Sequence, residues 1–450
     1  MAERILPGVT VDVRAEGLTT TTVGAVNVIG IVGTANWGPL STATTVSSLA
    51  EAVDYFKTDD TNLTLIKALQ LSYGAGASTV RIVRIEDGNA DYSALSLLNG
   101  TVAAMTITAY YKGTYGDNIS VTVTENGSNV DVKITDGVVT EYYINQATND
   151  LIVAAINAQS SLVTAAKLTS SLIDAVTATN LAGGDDGESV TDGDYVTGMT
   201  VLEGEDINFL LCAGQESDSL HTSMDTHCQN MANVGKERIA VAGCDLAEDI
   251  ATIKARSTKS DRFIFICPGV VVLDTLTGAD VTRSGAYAAS AIAGLLSGYD
   301  VQNSITNSTI AGITDVEDAY SDAELKDLLQ DNRCPIKKKN GIRVSRGITT
   351  STISAWQQIT TRRIVDYVKS GVRNAGDDFI GKLNNERIRS ALKGVLDSFL
   401  NDLVFNEVLE QYTCAVSATR QEEIAGVCKV AISMQPVFSI DFIECTIYLS

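Results

Sequence analysis

The spacing of apolar residues changes along the chain, and these changes divide it into stretches with different predicted structure. On either side of residues 89–180, short apolar runs typical of buried strands alternate with segments whose apolar residues recur at helical spacing. Strands separated by helices of this length predict a largely parallel sheet that is covered on both faces. The strands are predicted at 23–33, 79–85, 207–212, 238–242 and 262–267, and the helices at 47–56, 63–73, 218–233, 246–255 and 284–296. We expect Arg81 and Arg84 to point outward from the strand at 79–85.

Residues 89–180 change to a composition rich in Thr, Val, Ser and Asn, with apolar and polar residues in alternation. This period-two pattern predicts half-buried strands at 101–109, 119–124, 130–134 and 138–144, and one helix follows at 149–160. The α/β rhythm resumes after a glycine-rich turn at 183–187. The stretch is therefore predicted to be a mostly β insertion.

The last hundred residues predict a third unit with two long helices and three closing strands. The first helix is predicted at 352–373, and the second carries one buried stripe made of Ile388, Leu392, Val395, Leu396, Phe399 and Leu403. The strands are predicted at 411–417, 426–434 and 440–449. In the last strand Ile443, Cys445, Ile447 and Leu449 share one face.

The net charge of the chain is strongly negative and unevenly distributed along the sequence, and this bears on the partners that it can bind. The chain of 450 residues carries 55 acidic and 33 basic side chains, a net charge of −22, which argues against a general nucleic-acid binder. Residues 185–330 carry −17, whereas residues 332–400 carry +9. The basic segment predicts a face for an acidic neighbour, and an ordinary solvated helix surface is the alternative.

Candidate chemistry is sparse. The sequence lacks a phosphate-binding loop, a nucleophile elbow and a zinc-protease motif, so we predict no catalytic, cofactor-binding or metal-binding residues. For His221, His227 and Cys228 we expect core or surface positions and not a metal site. For the acidic cluster at 185–194 we expect a turn and not a calcium-binding loop. The eight cysteines are expected to be reduced and mostly buried. Without a secretory leader or a membrane-length apolar run, we expect a soluble chain made in the cytosol, with no membrane insertion.

Several separate stretches resemble one protein family. They are the opening Leu6-Pro7-Gly8-Val9, residues 28–39 with Trp37-Gly38-Pro39, the strand around Arg81 and Arg84, the turns at 112–118 and 181–187, the Ala-rich helix, and the segments 343–350, 363–370, 379–382 and 426–437. In this order they resemble the contractile tail sheath proteins of phages and phage-tail-like particles. An Asp before Asn118 departs from the family's G-x-x-G-N turn.

The resemblance implies a structural subunit of the virion tail, or of a phage-tail-like particle, assembled in the host cytoplasm. Such subunits form stacked hexameric rings around a tail tube and contract to drive the tube through a cell envelope. The implied partners are copies of the same chain, the tail tube protein, and baseplate and tail terminator proteins. No cofactor or enzymatic activity is implied.

The implied fold is a mixture of α/β and α+β domains. An inner α+β domain would hold residues 1–19 and 336–450, a middle α/β sheet domain would hold 20–88 and 181–335, and an outer mostly β insertion would hold 89–180. The terminal arms would exchange strands between subunits. Two expectations about residues follow.

The strand predicted at 9–13 has no neighbour in sequence to pair with, so its backbone groups need a partner elsewhere. We expect it, and the last strand, to join sheets of other copies. The residues expected in this exchange are Val9, Val11, Val13, Ile443, Cys445, Ile447 and Leu449. The residues expected to face an acidic tube are Lys382, Arg387, Arg389 and Lys393.

Two other functions fit parts of the pattern. One is a soluble, hydrolase-like α/β enzyme with a β insertion. The other is a different virion part, such as a tube or baseplate protein. Polymer size separates the enzyme from the sheath subunit, because an enzyme forms a small closed oligomer.

Overall fold

The computed structural model describes residues 27–57, 62–274 and 277–448. The strands of these residues, β1 to β20 in chain order, are Ile29–Gly33, Ala43–Val46, Val80–Arg84, Ala94–Asn99, Val102–Ala109, Ser120–Asn126, Asn129–Thr135, Thr140–Gln146, Val163–Lys167, Val176–Asn180, Phe209–Cys212, Ile239–Gly243, Phe263–Cys267, Val270–Leu273, Asp280–Arg283, Asp315–Val316, Cys334–Lys338, Ile342–Val344, Leu409–Ser417 and Lys429–Pro436. The helices, α1 to α11, are Leu49–Phe56, Leu65–Ala75, Asn149–Gln159, Asp192–Val201, Asp218–Asn233, Ile250–Ala255, Gly285–Ser297, Asp322–Gln330, Ile359–Asp377, Glu386–Phe405 and Arg420–Ile424.

An eight-stranded sheet forms the centre of the fold. Its strand order is β18-β17-β13-β12-β11-β1-β3-β2, and the six inner strands run parallel while β18 and β2 pair antiparallel at the edges. In β1, Ile31 lies between Leu211 of β11 and Ile82 of β3. The largely parallel sheet predicted from the sequence is confirmed.

Both faces of this sheet are buried under helices, which explains the continuous apolar strands. Ile29 and Ile31 of β1 pack into a cluster with α2 and α7, while Val28 and Val32 pack on the other side with α4 and α5. Polar caps set several helix starts. The Ser48 hydroxyl accepts a hydrogen bond from the Glu51 amide, and the Glu51 carboxylate accepts one from the Ser47 amide, so α1 begins at Leu49.

Residues 94–180 form the predicted β-rich stretch. One sheet has the order β10-β6-β7-β8 and another the order β4-β5-β9, and both share an apolar core with α3. The strands β4, β9 and β10 were not predicted. The proposed outer boundary at 89–180 stays a prediction.

Compact packing divides the chain into two units. The α/β unit comprises the described residues from 27 to 359 and from 441 to 448, and the C-terminal unit comprises residues 360–440. In the C-terminal unit, α10 buries five of the six predicted stripe residues and half-buries Ile388. The hairpin β19–β20 packs on α10 through Cys414 and Val416.

Three sequence predictions are corrected here. Arg84 does not point outward, because residues three apart on a strand face opposite sides, and its side chain is 0% exposed while Arg81 is half-buried. The helix predicted at 246–255 begins only at Ile250, where Asp249 accepts a hydrogen bond from the Thr252 amide. The helix predicted from 352 begins at Ile359, after a single 3₁₀ turn at Ser354–Trp356.

Candidate assembly interface

The C-terminal segment exposes most of its apolar side chains, and it is not a strand in the single molecule. From 440 to 448 no strand is assigned, contrary to the strand predicted at 440–449. The side chains of Ile443 and Ile447 are 87% and 79% exposed, and Cys445 is exposed as well. Alternating side chains reveal a strand-forming pattern, whereas a strand also needs a neighbour to pair with. Leu449 lies outside the described residues, as do Val9, Val11 and Val13.

Hydrogen bonds hold the C-terminal segment in place at Asp441, near its start. Arg346 Nε donates to Asp441 Oδ2 at 2.7 Å, and the Asp441 side chain is only 6% exposed. The hydroxyl of Thr306 and the amide of Gln358 also donate to this carboxylate, at 3.3 and 3.4 Å. The guanidinium of Arg346 lies over the Phe442 ring, 5.4 Å from its centroid. Sequence reasoning missed this cluster, because Arg346 and Asp441 are 95 positions apart and no local pattern pairs them.

The hairpin β19–β20 offers a sheet with open edges. Among the described residues it has two strands only, with Cys414 opposite Ile432 and Tyr412 opposite Met434. The outer edge of each strand therefore carries backbone groups that no described strand pairs with. Such edges are templates for an added strand, and a lone two-stranded hairpin is marginally stable by itself.

The predicted tube-facing cations lie together in the C-terminal unit, three on α10 and Lys382 in the loop before it. Arg389 donates to Glu423 at 2.9 Å, and Lys393 donates to Asp397 at 2.5 Å. The ammonium of Lys382 lies 4.6 Å from the ring centroid of Phe379. Two of the four charges are thus already balanced within the same unit, so an acidic partner would have to compete for them.

Carboxylates in the acidic cluster at 185–194 accept hydrogen bonds that stabilise the local chain. Asp186 accepts hydrogen bonds from the amide and hydroxyl of Thr114, at 2.7 and 2.8 Å, and Asp194 closes the capping box of α4 with Thr191. Within the described ranges, no three His, Cys, Asp or Glu side chains lie close enough together to hold a metal ion. None of the helices assigned in those ranges has the length and apolar character needed to cross a membrane.

The two histidines are buried on α5 and kept neutral by their surroundings. His221 packs between Phe263 and Phe265, with ring centroids 5.5 and 5.8 Å away, and burial lowers its pKa to about 4. Burial, and then the charge of Arg238, lowers the pKa of His227 to about 4. Arg238 Nη1 donates to His227 Nε2 at 3.1 Å, which requires a neutral ring nitrogen as acceptor.

We expect a pH dependence of stability from these histidines. Because their folded pKa values lie below the unfolded value near 6.5, protons bind the unfolded chain more strongly, so stability is complete above pH 6.5 and falls as the pH drops towards 4. Between pH 6.5 and 5.0 each histidine should cost about 1.5 kcal/mol of unfolding free energy. Urea unfolding of His227→Gln should therefore show a loss about 1.5 kcal/mol smaller than that of the unchanged chain over this interval. Equal losses would contradict the assignment.

Comparisons with known proteins identify the family. Residues 188–350 match the model of the phage tail sheath protein central domain, and residues 351–450 match that of the phage tail sheath C-terminal domain. The tail sheath protein of Mycobacterium phage Bxz1 is 24% identical over 275 residues, which cover 57% of this chain and 46% of that protein. The chain thus aligns with less than half the length of this relative.

Solved structures show the same fold. The sheath tail protein of Desulfitobacterium hafniense superposes with a TM-score of 0.70 and 18% identity, covering 96% of this chain and 100% of that one. The sheath of an extracellular contractile injection system, PVC in the contracted state, superposes with a TM-score of 0.61 and 12% identity, covering 100% of this chain and 99% of that one. The two domain models together span residues 188–450, more than half of the sequence, and the chain belongs to the phage tail sheath protein family.

Proposed function

We propose that this chain is the structural subunit of a contractile tail sheath. It polymerises as stacked hexameric rings around a tail tube, and the polymer contracts to drive the tube through the envelope of a target cell. Copies of the chain, the tube protein, and baseplate and terminator proteins are its partners. The chain acts through assembly and shape change and catalyses no reaction.

The observation that carries the proposal is that the described chain contains both an exposed apolar segment without a strand partner and a sheet whose edge strands could each accept one. The residues after Asp441 present Ile443 and Ile447 to solvent, and no described strand pairs with the outer edges of the hairpin β19–β20. Strand addition between copies satisfies both, since the main chain supplies hydrogen bonds and alternate side chains supply an apolar face. The segment 9–13, with Val9, Val11 and Val13, is predicted from the sequence to be a strand and is proposed to join in the same way.

The domain arrangement proposed for the assembled sheath follows the sequence. Residues 1–19 and 336–450 form the inner domain, 20–88 and 181–335 the middle domain, and 89–180 the outer insertion. The packing of residues 94–180 around their own apolar core supports a separate outer module.

Contraction requires no nucleotide in this proposal. An extended sheath is a metastable polymer, and contraction lowers its free energy by burying further apolar surface, at about 25 cal/mol per Å². Strands shared between subunits keep the polymer connected while the rigid bodies rotate.

Lys382, Arg387, Arg389 and Lys393 are proposed to meet an acidic tube surface. Exposed ion pairs contribute about 0–1 kcal/mol each. Four such pairs would guide the docking of the subunit on the tube and would still separate during contraction. Reversing all four charges should reduce co-sedimentation with purified tubes about tenfold or more at low salt. Reversing Lys133 and Lys167, which belong to the proposed outer insertion, is the control and should leave binding within twofold. Unchanged binding by the fourfold variant would remove the tube-facing assignment.

Negative-stain electron microscopy of the purified chain tests the proposed function. A sheath subunit forms long tubes or very large polymers, which size exclusion places in the void volume. A small closed oligomer at all concentrations would instead favour an α/β enzyme.

A further inference from the structure

The loop between α9 and α10, residues 378–385, exposes two large aliphatic side chains. Ile380 is 79% exposed and Leu383 is 74% exposed. Phe379 of the same loop packs against the core of the C-terminal unit, and the ammonium of Lys382 lies 4.6 Å from its ring centroid. The loop is therefore attached to its own unit by one apolar side chain, and it presents two others that this unit does not bury.

Hydrogen bonds fix the shape of this loop. The amides of Ile380 and Lys382 donate to the carbonyls of Asp377 and Phe379, both at 3.2 Å. At the other end, the side chain of Asn385 accepts a hydrogen bond from the third amide of α10 at 3.0 Å, so the helix begins directly after the loop. A loop with a fixed shape loses little conformational entropy when it binds a partner.

The exposed apolar surface extends from the loop onto α11. Asn384 Nδ2 donates to the Val427 carbonyl at 2.9 Å, and Arg389 Nη1 donates both to Asn384 Oδ1 and to Glu423 Oε1, again at 2.9 Å. These bonds bring the loop beside α11 and the residues that follow it. Val427 is 43% exposed there, and Ile424 is 76% exposed. Contiguous apolar side chains on one surface are typical of a protein interaction site, whereas single exposed ones are ordinary.

We propose that Ile380 and Leu383 are the apolar anchors by which each subunit binds the tail tube. This inference rests on the proposed function, and it names the side chains that supply most of the affinity for the tube. Lys382, which is proposed to face the tube, lies between the two anchors in sequence, so a partner that meets its ammonium covers them as well. The partner that fits is a tube surface with an apolar depression flanked by carboxylates.

The cations of this surface supply direction more than affinity. Arg389 and Lys393 already bind Glu423 and Asp397 within the same unit, so an acidic tube has to compete for both. Their attraction also depends on salt, since the screening length falls from about 10 Å at 0.1 M to about 3 Å at 1 M. Apolar burial is not screened in this way. Removing both anchors should lower the association constant for tubes at least about a hundredfold.

Co-sedimentation with purified tubes of the same particle, at 0.1 M and 1 M salt, tests the anchors. Ile380→Ser combined with Leu383→Ser should lower the affinity at least about a hundredfold at both salt concentrations. The unchanged chain should lose no more than about tenfold between them. Loss of all binding by the unchanged chain at 1 M salt would assign the affinity to the charges and overturn the inference.

Two control variants show whether the loss belongs to these positions. Phe405→Ser removes a side chain that is 87% exposed in the same unit, about 28 Å along α10 from its first residue, and should leave tube binding within twofold. Ile380→Val with Leu383→Met keeps an apolar surface of similar size and should retain binding within a few-fold. An equal loss in Phe405→Ser would contradict the assignment.

Hydroxyl-radical footprinting of the unchanged chain tests the same contact without a substitution. Tubes should lower the oxidation of Ile380 and Leu383 several-fold and leave that of Phe405 unchanged. Unaltered oxidation of both anchors on tube-bound chain would overturn the inference.

The failure of the anchors can be told apart from the failure of the proposed function. If the unchanged chain polymerises and binds tubes while the double serine variant binds them within threefold of it, the function stands and the anchors are wrong. If the variant binds tubes normally but no longer polymerises without them, the loop is a contact between copies, and the inference is again wrong. If the unchanged chain neither polymerises nor binds tubes, the proposed function fails and the inference fails with it.

Discussion

Replacing Ile443 and Ile447 by aspartate should abolish polymer formation and leave the isolated chain folded. Both side chains are largely exposed in the single molecule, so the substitutions remove little intramolecular packing. In an exchanged strand each isoleucine contributes about 2 kcal/mol of apolar burial, and a buried carboxylate costs more still. The pair should therefore weaken each subunit contact by at least about 4 kcal/mol, close to a thousandfold in association constant. Analytical ultracentrifugation at several concentrations measures this directly.

The matched control for this experiment lies between the two residues. Thr446→Asp adds the same charge to the same segment, on the face opposite to Ile443 and Ile447. We expect it to assemble with a threshold within a few-fold of the unchanged chain, and all variants to keep one thermal midpoint. Equal loss of assembly in Thr446→Asp and Ile447→Asp would mean that charge, and not the apolar face, is responsible.

Arg84→Met should strongly destabilise the α/β unit. Arg84 is fully buried, its Nη1 donates to the carbonyls of Gly38 and Lys112 at 3.0 and 2.8 Å, and the charge of Asp186 lies near it. Burial lowers the pKa of Arg84 to about 10 and raises that of Asp186, so each charge depends on the other for compensation. Removing the guanidinium leaves Asp186 uncompensated, a loss of about 3–5 kcal/mol in unfolding free energy by urea titration.

A double-mutant cycle checks the physical reason for that loss. If uncompensated charge is the cause, Arg84→Met combined with Asp186→Asn should lose at least about 1 kcal/mol less than the sum of the single losses. Additive losses would show that Arg84 acts through its packing and its two carbonyl contacts alone.

The sequence allowed the element types to be predicted where local periodicity agrees with tertiary burial. Helix α5 has the predicted bounds, because Ser217 caps its first turn and its apolar residues line one face. The central strands were recognisable because both of their faces are buried. Strand β10, by contrast, is short and largely polar, so its pairing with β6 left no hydrophobic signal.

Long-range pairing could not be predicted in the same way. The burial of Arg84 depends on the carbonyls of Gly38 and Lys112, which its neighbours in sequence do not reveal. The site for Asp441 is assembled from residues 306, 346 and 358, each distant along the chain. For the candidate assembly interface, the apolar alternation at Ile443 and Ile447 was readable from the sequence, whereas the lack of a partner strand among the described residues was not.

Hydrogen–deuterium exchange of the C-terminal amides, compared between the dilute chain and the pelleted polymer, tests the central claim most directly. The amides from 443 to 448 have no backbone acceptor among the described residues and should exchange within seconds in the dilute chain. Strand addition in the polymer should slow them at least a hundredfold, together with the outer-edge amides of β19 or β20. Equally fast exchange of residues 443–448 in both states would show that the arm stays unpaired in the polymer, and the account would be wrong.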